Sequence, residues 1–348
     1  MPTDSKPQAT IVDVLPKAEL HLHLEGSIGP ATAVELAARH GVALKPEEVA
    51  ARYNYSGFTG FLETFKWITS FLREPSDYAL ITRHLCENLL RQNVVYAEVT
   101  ISAGVMLRRT QSVEANLTAI QETATSVPFS RLRIAWLLDA TRQFGAEAAS
   151  EVARVAGKLQ RLGVVGFGMG GDELAGPTVN FRPAFDLARN EGLRVTCHAG
   201  EIGGPESIRE AIELLGAERI GHGIAAMHDP ALMEFLALRR VPLENCLTSN
   251  LATGALAKQT GKAQPALADH PLPKFLKQGL TVTLSSDDPG MFHTDLLQEY
   301  SKAASLGLGS QDLAHLAEQS FGAAFLPPID KRRLLEDFRA AAKSHGLL

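Results

Sequence analysis

Short apolar, β-branched runs recur along the chain, separated by longer segments with apolar residues every three or four positions. The runs predict strands near 18–24, 94–101, 131–138, 164–168, 194–198, 219–222, 241–244 and 281–285. Helical spacing marks 146–162, 181–190, 205–215 and 230–239 between them. About eight strand–helix units in one chain predict an α/β fold, a (β/α)8 TIM-type barrel. A doubly wound open sheet is the runner-up, because closure leaves no mark on a sequence.

The first run carries the strongest chemical hint. Alternation along residues 17–25 sets His21, His23 and Glu25 on one face of a strand and Leu20, Leu22 and Leu24 on the other. Two imidazoles on a buried face are costly unless each has a hydrogen-bond partner or a metal. A divalent metal is therefore the first hypothesis, although two satisfied histidines would look the same.

The connection after this strand, residues 27–92, is much longer than the others. Within it Phe58, Phe61, Leu62, Phe65 and Ile68 follow helical spacing, with Trp67, Phe71 and Leu72 beside them. A helical insertion packing its own apolar stripe is expected, and it can also serve as a lid over an aromatic substrate. Residues 257–273, rich in Lys, Gln, Ala and Pro, read as an irregular surface loop. Residues 1–10 read as flexible, and 1–348 as a single domain.

Composition narrows the classes. With 45% hydrophobic and 21% charged residues the chain is that of a soluble globular protein. A net charge of -5 offers no basic footprint for nucleic acid. The three cysteines include no CxxC pair, which points away from a disulfide scaffold and toward a reducing cytoplasm. The N-terminus is polar, and no run of apolar residues is long enough to span a membrane.

Reactive side chains collect where predicted strands end. The segments are His21-x-His23, Gly171-Asp172-Glu173, His198-Ala-Gly-Glu201, Gly221-His222-Gly223 and Ser285-Ser286-Asp287-Asp288. In a barrel these ends share the active-site face. A hydrolytic metal site needs neutral imidazoles or carboxylates, an open position for water and a proton shuttle. His21, His23 and His198 offer nitrogens and Asp287 a carboxylate; first and last strands are neighbours in a closed barrel. Glu201, just past a strand end, suits a general acid. His222, between two glycines, has room to orient or deprotonate the attacking water. Taken singly, His198 could cap its strand, Asp287 a turn and Glu201 the next helix, and His222 could be a satisfied core residue.

Taken together and in this order, His-x-His-Leu-Glu-Gly-Ser, Gly-Gly-Asp-Glu, His-Ala-Gly-Glu, Gly-His-Gly and Ser-Asp-Asp-Pro resemble the adenosine deaminase family of metal-dependent amidohydrolases. The resemblance runs from about residue 16 to residue 300. It implies a (β/α)8 barrel with one zinc ion on His21, His23, His198 and Asp287. It also implies that Glu201 protonates the purine N1 and His222 assists the attacking water. Asp288 would then bond N7 and the Gly171 backbone would meet N3. The products would be a 6-oxopurine and ammonia.

The substrate expected from this resemblance is a small 6-aminopurine nucleoside of the adenosine type, with the oligomeric state left open. Adenosine-acting members commonly carry Asp where this chain has Glu25, a side chain that meets the ribose 5′-hydroxyl. Adenine deaminases of the family can carry His-Leu-Glu-Gly, whereas Cys246-Leu-Thr-Ser-Asn-Leu-Ala-Thr-Gly-Ala255 is more similar to nucleoside-acting members. The alternatives are 6-aminodeoxyfutalosine of menaquinone biosynthesis, whose 5′ side bears a benzoate, and free adenine. Arg108, Arg109 and Arg142 read first as solvated or structural, and second as partners for an acidic tail.

Other readings fare worse. Residues 166–171 match GxGxxG in form, but Asp-Glu-Leu-Ala-Gly-Pro follows, a poor helix start for a dinucleotide site. The other class of zinc deaminase pairs H-x-E with P-C-x-x-C, which is missing here. A barrel hydrolase for a different amine or ester would not need the purine-contacting motifs. A non-catalytic purine-binding relic should have lost a ligand or Glu201.

Overall fold

Eight strands pair side by side in chain order. They are β1 (Lys17–His23), β2 (Val94–Ile101), β3 (Arg133–Thr141), β4 (Val164–Gly170), β5 (Arg194–Ala199), β6 (Arg219–His222), β7 (Leu243–Asn245) and β8 (Val282–Leu284). The computed structural model describes residues 11–347, so the expectation for residues 1–10 lies outside the described residues. Every pairing is parallel. The chain then returns to β1. Leu22 bridges Asp287, with His23 N–H donating to Asp287 O at 2.9 Å and Asp287 N–H to His21 O at 3.1 Å. That bridge joins the two ends of the sheet, making a (β/α)8 barrel rather than an open doubly wound sheet.

The predicted helices form at Ala146–Lys158, Arg182–Asn190, Pro205–Glu213 and Pro230–Arg239. The last three begin with proline in the first turn, where its missing N–H is not needed. Asp229 caps the last by accepting the Leu232 N–H at 2.9 Å. Their apolar faces close over the strands. Phe185 meets Phe167 of β4 edge-on at 5.0 Å, both fully buried, and truncating either to Ala would cost about 3–5 kcal/mol.

Glycines at alternate positions of β4 make room inside the barrel. A Cβ on Gly168 would lie 3.1 Å from Asp139 Oδ1, and one on Gly170 3.2 Å from His198. The GxGxxG match is thus mostly strand, its small residues serving packing rather than phosphate binding.

Between β1 and β2 the chain forms helices Pro30–Arg39, Pro46–Tyr53, Gly57–Thr69 and Pro75–Arg91. The last packs on β2 as an ordinary barrel helix. The helix Gly57–Thr69 reaches the mouth, where Phe61 stacks on Phe292 at 5.2 Å and neighbouring Tyr55 donates to Met291 O at 2.8 Å.

Residues 257–273 differ from the expected loop. Helix Ala255–Thr260 runs into the segment, a turn forms at Leu267–Asp269, and helix Leu272–Lys277 begins within it. Lys, Gln and Ala there are helix formers on a solvated face, and Pro271 and Pro273 start a helix rather than break one. Among the described residues no helix is long and apolar enough to cross a membrane.

Candidate active site

At the C-terminal mouth, His21 and His23 of β1, His198 of β5 and Asp287 after β8 bring four ligand atoms within 4.8 Å of one another. Asp287 Oδ1 lies 3.5 Å from His21 Nε2 and 3.4 Å from His23 Nε2. The hydrogen bonds behind two of the rings fix which nitrogen faces inward. His21 Nδ1 donates to Glu244 Oε2 at 2.9 Å, and His198 Nδ1 donates to the Met169 carbonyl at 3.2 Å. In the neutral rings both Nε2 atoms therefore carry a lone pair.

The His21 Nε2 atom is buried and has no hydrogen-bond partner among the described residues. Burial holds His23 and His198 near a pKa of about 3, so both are neutral donors of lone pairs. Burial also opposes charge on His21, but the nearby Asp287 and Glu244 carboxylates outweigh it and lift its pKa to about 10. The cluster thus calls for one positive charge at its centre, a proton or a cation. Three imidazoles and a carboxylate fit a divalent metal ion.

Glu244 is itself anchored. Arg219 Nε donates to it at 2.5 Å, and the same guanidinium meets Glu98 at 2.6 Å and lies 3.6 Å over the Phe325 ring. Burial alone would raise the Glu244 pKa, but Arg219 and His21 pull it down to about 2. A charged chain runs from the barrel interior to the back of His21.

Glu201 sits just past β5, and its pKa is pushed up to about 8, first by burial and then by Asp287 and Glu173. It holds its proton at neutral pH. Thr253 Oγ1 donates to Glu201 Oε1 at 3.2 Å, and Gln259 holds its carbonyl at 2.9 Å. The backbone N–H groups of Gly200, Glu201, Ile202 and Gly203 all donate to the Glu173 carboxylate, at 2.5, 3.0, 2.7 and 2.9 Å. Glu173 therefore shapes the loop that presents Glu201. Arg142 is buried, donating to the Glu173 carbonyl and, at 2.9 Å, to Thr178 Oγ1, which makes it structural.

His222 and Asp287 both adopt positive φ, at 63° and 64°, where a side chain is strained and where functional residues concentrate. A Cβ on Gly221 would fall 2.7 Å from the His21 ring, so the residue beside His222 has to be small. His222 Nε2 faces Glu201 Oε2 at 3.6 Å and Asp287 Oδ2 at 3.8 Å.

Asp288 is buried with Oδ1 unpartnered among the described residues. Burial and then the neighbouring Asp287 charge hold its pKa well above the usual carboxylate range. A Cβ on Gly26 would overlap Asp288 Oδ1, which explains the glycine in His-Leu-Glu-Gly. Gly171, at φ 92°, lines the mouth against Gln143.

Glu25 does not share the histidines' face. The chain leaves the strand at Leu24, and Glu25 begins a tight turn, Glu25–Ser27, with its carboxylate accepting the Ser102 N–H at 3.1 Å. Ser102 lines the cavity; Glu25 stands behind it. Asp139, at the end of β3, was not anticipated from the sequence. It faces the cavity, buried, with Oδ1 unpartnered among the described residues and its pKa raised to about 8 by burial and the Glu25 charge. Its strand-end position was the available signal.

All of this opens into a cavity of about 550 Å³. Its inner end holds His23, His198, Glu201, His222, Asp287 and Asp288, and its outer wall Phe58, Phe61, Phe65 and Phe144. Exposed Lys66 and Arg108 stand at the outer end, with the Arg108 guanidinium 4.7 Å over the Phe144 ring, while Arg109, also in the lining, donates to the Thr69 carbonyl and hydroxyl.

The family model described as adenosine deaminase matches residues 16–341. The chain is 40% identical over 328 residues to the aminodeoxyfutalosine deaminase of Streptomyces avermitilis, covering 92% of this chain and 89% of that one. It is 34% identical over 333 residues to the adenine deaminase of Chelativorans sp., covering 95% and 100%. The crystal structure of adenine deaminase from Arthrobacter aurescens superposes with a TM-score of 0.86 at 29% identity, covering 94% and 99%.

Proposed function

This chain belongs to the adenosine deaminase family, and on that premise we propose that it deaminates an adenine nucleoside whose 5′ end carries an aromatic carboxylate, namely 6-aminodeoxyfutalosine. The reading moves from the adenosine-type expectation to its first alternative. The observation that carries it is the outer half of the cavity. Glu25 accepts the Ser102 amide and stands outside the cavity lining, which favours a substrate without a ribose 5′-hydroxyl at that point. Beyond the ribose position lie phenylalanines for a ring and Arg108 and Lys66 for a carboxylate. The 40% identity to an aminodeoxyfutalosine deaminase supports the same choice.

Zinc is the proposed ion, held by His21, His23, His198 and Asp287, where it would supply a hydroxide nucleophile at neutral pH. The chain's own residues handle the protons. Glu201, protonated, donates to N1 as oxygen adds to C6, so charge does not build on the ring. Asp288, also protonated, donates to N7. His222 holds the attacking water, and the Gly171 backbone faces N3. The C6–N6 bond then breaks: the new hydroxyl at C6 gives its proton to the departing amine, which leaves as ammonia, the 6-oxopurine keeps the proton on N1, and Glu201 regains the proton released when the water ionised. Helix Gly57–Thr69 serves as the lid that excludes water. All three cysteines are buried free thiols, which suits the cytoplasm as the proposed compartment.

Comparison of kcat/KM for 6-aminodeoxyfutalosine, 5′-deoxyadenosine, adenosine and adenine, followed by loss of the 6-aminopurine absorbance, tests the proposal. The futalosine nucleoside should be preferred. The second reading, free adenine, is favoured by the 34% identity to an adenine deaminase, and a clear preference for adenine would replace the first.

A further inference from the structure

We propose that Asn250 and His270 are positioning residues that lock His222 as a hydrogen-bond donor at Nε2, so that it orients the attacking water and does not deprotonate it. A backbone amide, whose role is not adjustable, fixes the first link. The Leu272 N–H donates to His270 Nδ1 at 3.2 Å, so that nitrogen carries no proton. Burial holds His270 neutral, its pKa lowered to about 3. Its single proton is then on Nε2, which donates to Asn250 Oδ1 at 3.1 Å.

That bond settles the Asn250 amide. Turned the other way, it would set its N–H2 against the His270 N–H. Asn250 Nδ2 therefore faces His222 Nδ1, at 3.1 Å, and donates to it. In the neutral ring the His222 proton has one place left, Nε2, the atom facing Glu201 and Asp287.

The relay is rigid. His222, Asn250 and His270 are all nearly inaccessible to solvent, at 1%, 0% and 3% exposure. Asn250 lies in helix Leu247–Ala252, with its N–H on the Cys246 carbonyl at 3.0 Å, and Leu272 opens the helix Leu272–Lys277. Asn245 Nδ2 holds the His222 carbonyl from below at 2.6 Å.

The chemical consequence follows from lone pairs. Nε2 of His222 has none to offer, and the Nδ1 lone pair is covered by Asn250. His222 could take up a proton only by breaking that bond inside a buried site and leaving the Asn250 N–H without an acceptor. Of the two roles expected for His222, orienting and deprotonating the water, the relay permits the first.

The decisive measurement is the tautomer. Long-range proton–nitrogen correlation spectra of the zinc-loaded, nitrogen-15 histidine-labelled chain should show the Nε2–H form for both His222 and His270. The His222→Gln and His270→Gln spectra assign the signals. A proton on Nδ1 of either ring overturns the proposal, whatever the substrate. Asn250→Asp keeps the shape but replaces the donor with an acceptor. It should move the His222 proton to Nδ1 and lower kcat about 100-fold or more, with KM within about threefold and zinc content unchanged. Wild-type kcat in a zinc-loaded Asn250→Asp chain would equally overturn it. The turnover arm rests on the deaminase reading and uses whichever nucleoside the chain accepts. If none is accepted, that reading fails and the spectra still decide.

Discussion

Glu244 accepts the Nδ1–H of His21 at 2.9 Å, and this bond aims the unpartnered Nε2 of His21 into the ligand cluster. A carboxylate behind a ligating imidazole fixes its tautomer and raises its basicity. Glu244→Gln should therefore weaken zinc binding by about 10- to 100-fold, read by competition with a chromophoric chelator. Because Arg219 would lose a buried charged partner, the same variant should also be destabilised by about 3 kcal/mol in urea titrations. Unchanged zinc affinity would show that Glu244 serves Arg219 rather than the metal.

Glu201 should set the alkaline limit of turnover. Burial pushes its pKa up to about 8, and the proposed acid role needs its proton. The carboxyl is thus active below that value and inactive above it, so kcat/KM should fall as pH rises through about 8. Glu201→Gln should retain zinc and lose most turnover at every pH. A variant with near-normal rates would remove Glu201 from the acid role.

Much of this site could be read before folding, and the reason is geometric. Strand-end residues reach one mouth whenever a parallel barrel closes, so His21, His23, His198 and Asp287 needed only the strand order to meet. Alternation misplaced Glu25 because the rule lasts only while the chain stays extended, and the strand ends two residues earlier. Glu173 and Glu244 were harder, since each acts through contacts at least 25 residues away. Asp139 stood alone in an apolar run, where one acid carries no spacing to interpret. Composition likewise could not separate the helices within 257–273 from a loop, because a solvated helix face and a polar loop use the same residues.

The outer cations should matter only for acidic substrates. Arg108→Ala should raise KM for 6-aminodeoxyfutalosine by about 10-fold, the loss of one charge-assisted contact, and leave 5′-deoxyadenosine unchanged. Steady-state kinetics on the two nucleosides separates this from a packing defect, since loss of the Arg108–Phe144 stack would affect both. Equal effects on the pair would remove the carboxylate from this end of the cavity.

His270 should carry a measurable share of acid sensitivity. Burial lowers its pKa from 6.5 to about 3, so in the folded state it stays neutral at mildly acid pH. In the unfolded chain it takes up a proton as pH falls through its ordinary value. Protons then favour the unfolded state between those two values, and stability is lost as pH drops below about 6.5. From about pH 7.5 to about pH 5 this one group should remove about 2 kcal/mol. His270→Gln will be less stable at neutral pH, having lost the Leu272 and Asn250 contacts. Its further loss on acidification should nonetheless be smaller than the wild-type loss by about that amount, because the buried histidines His23 and His198, outside the relay, remain in both proteins and cancel. Paired urea titrations at the two pH values give the difference directly, and equal losses would mean that His270 takes up its proton as readily in the folded state as in the unfolded one.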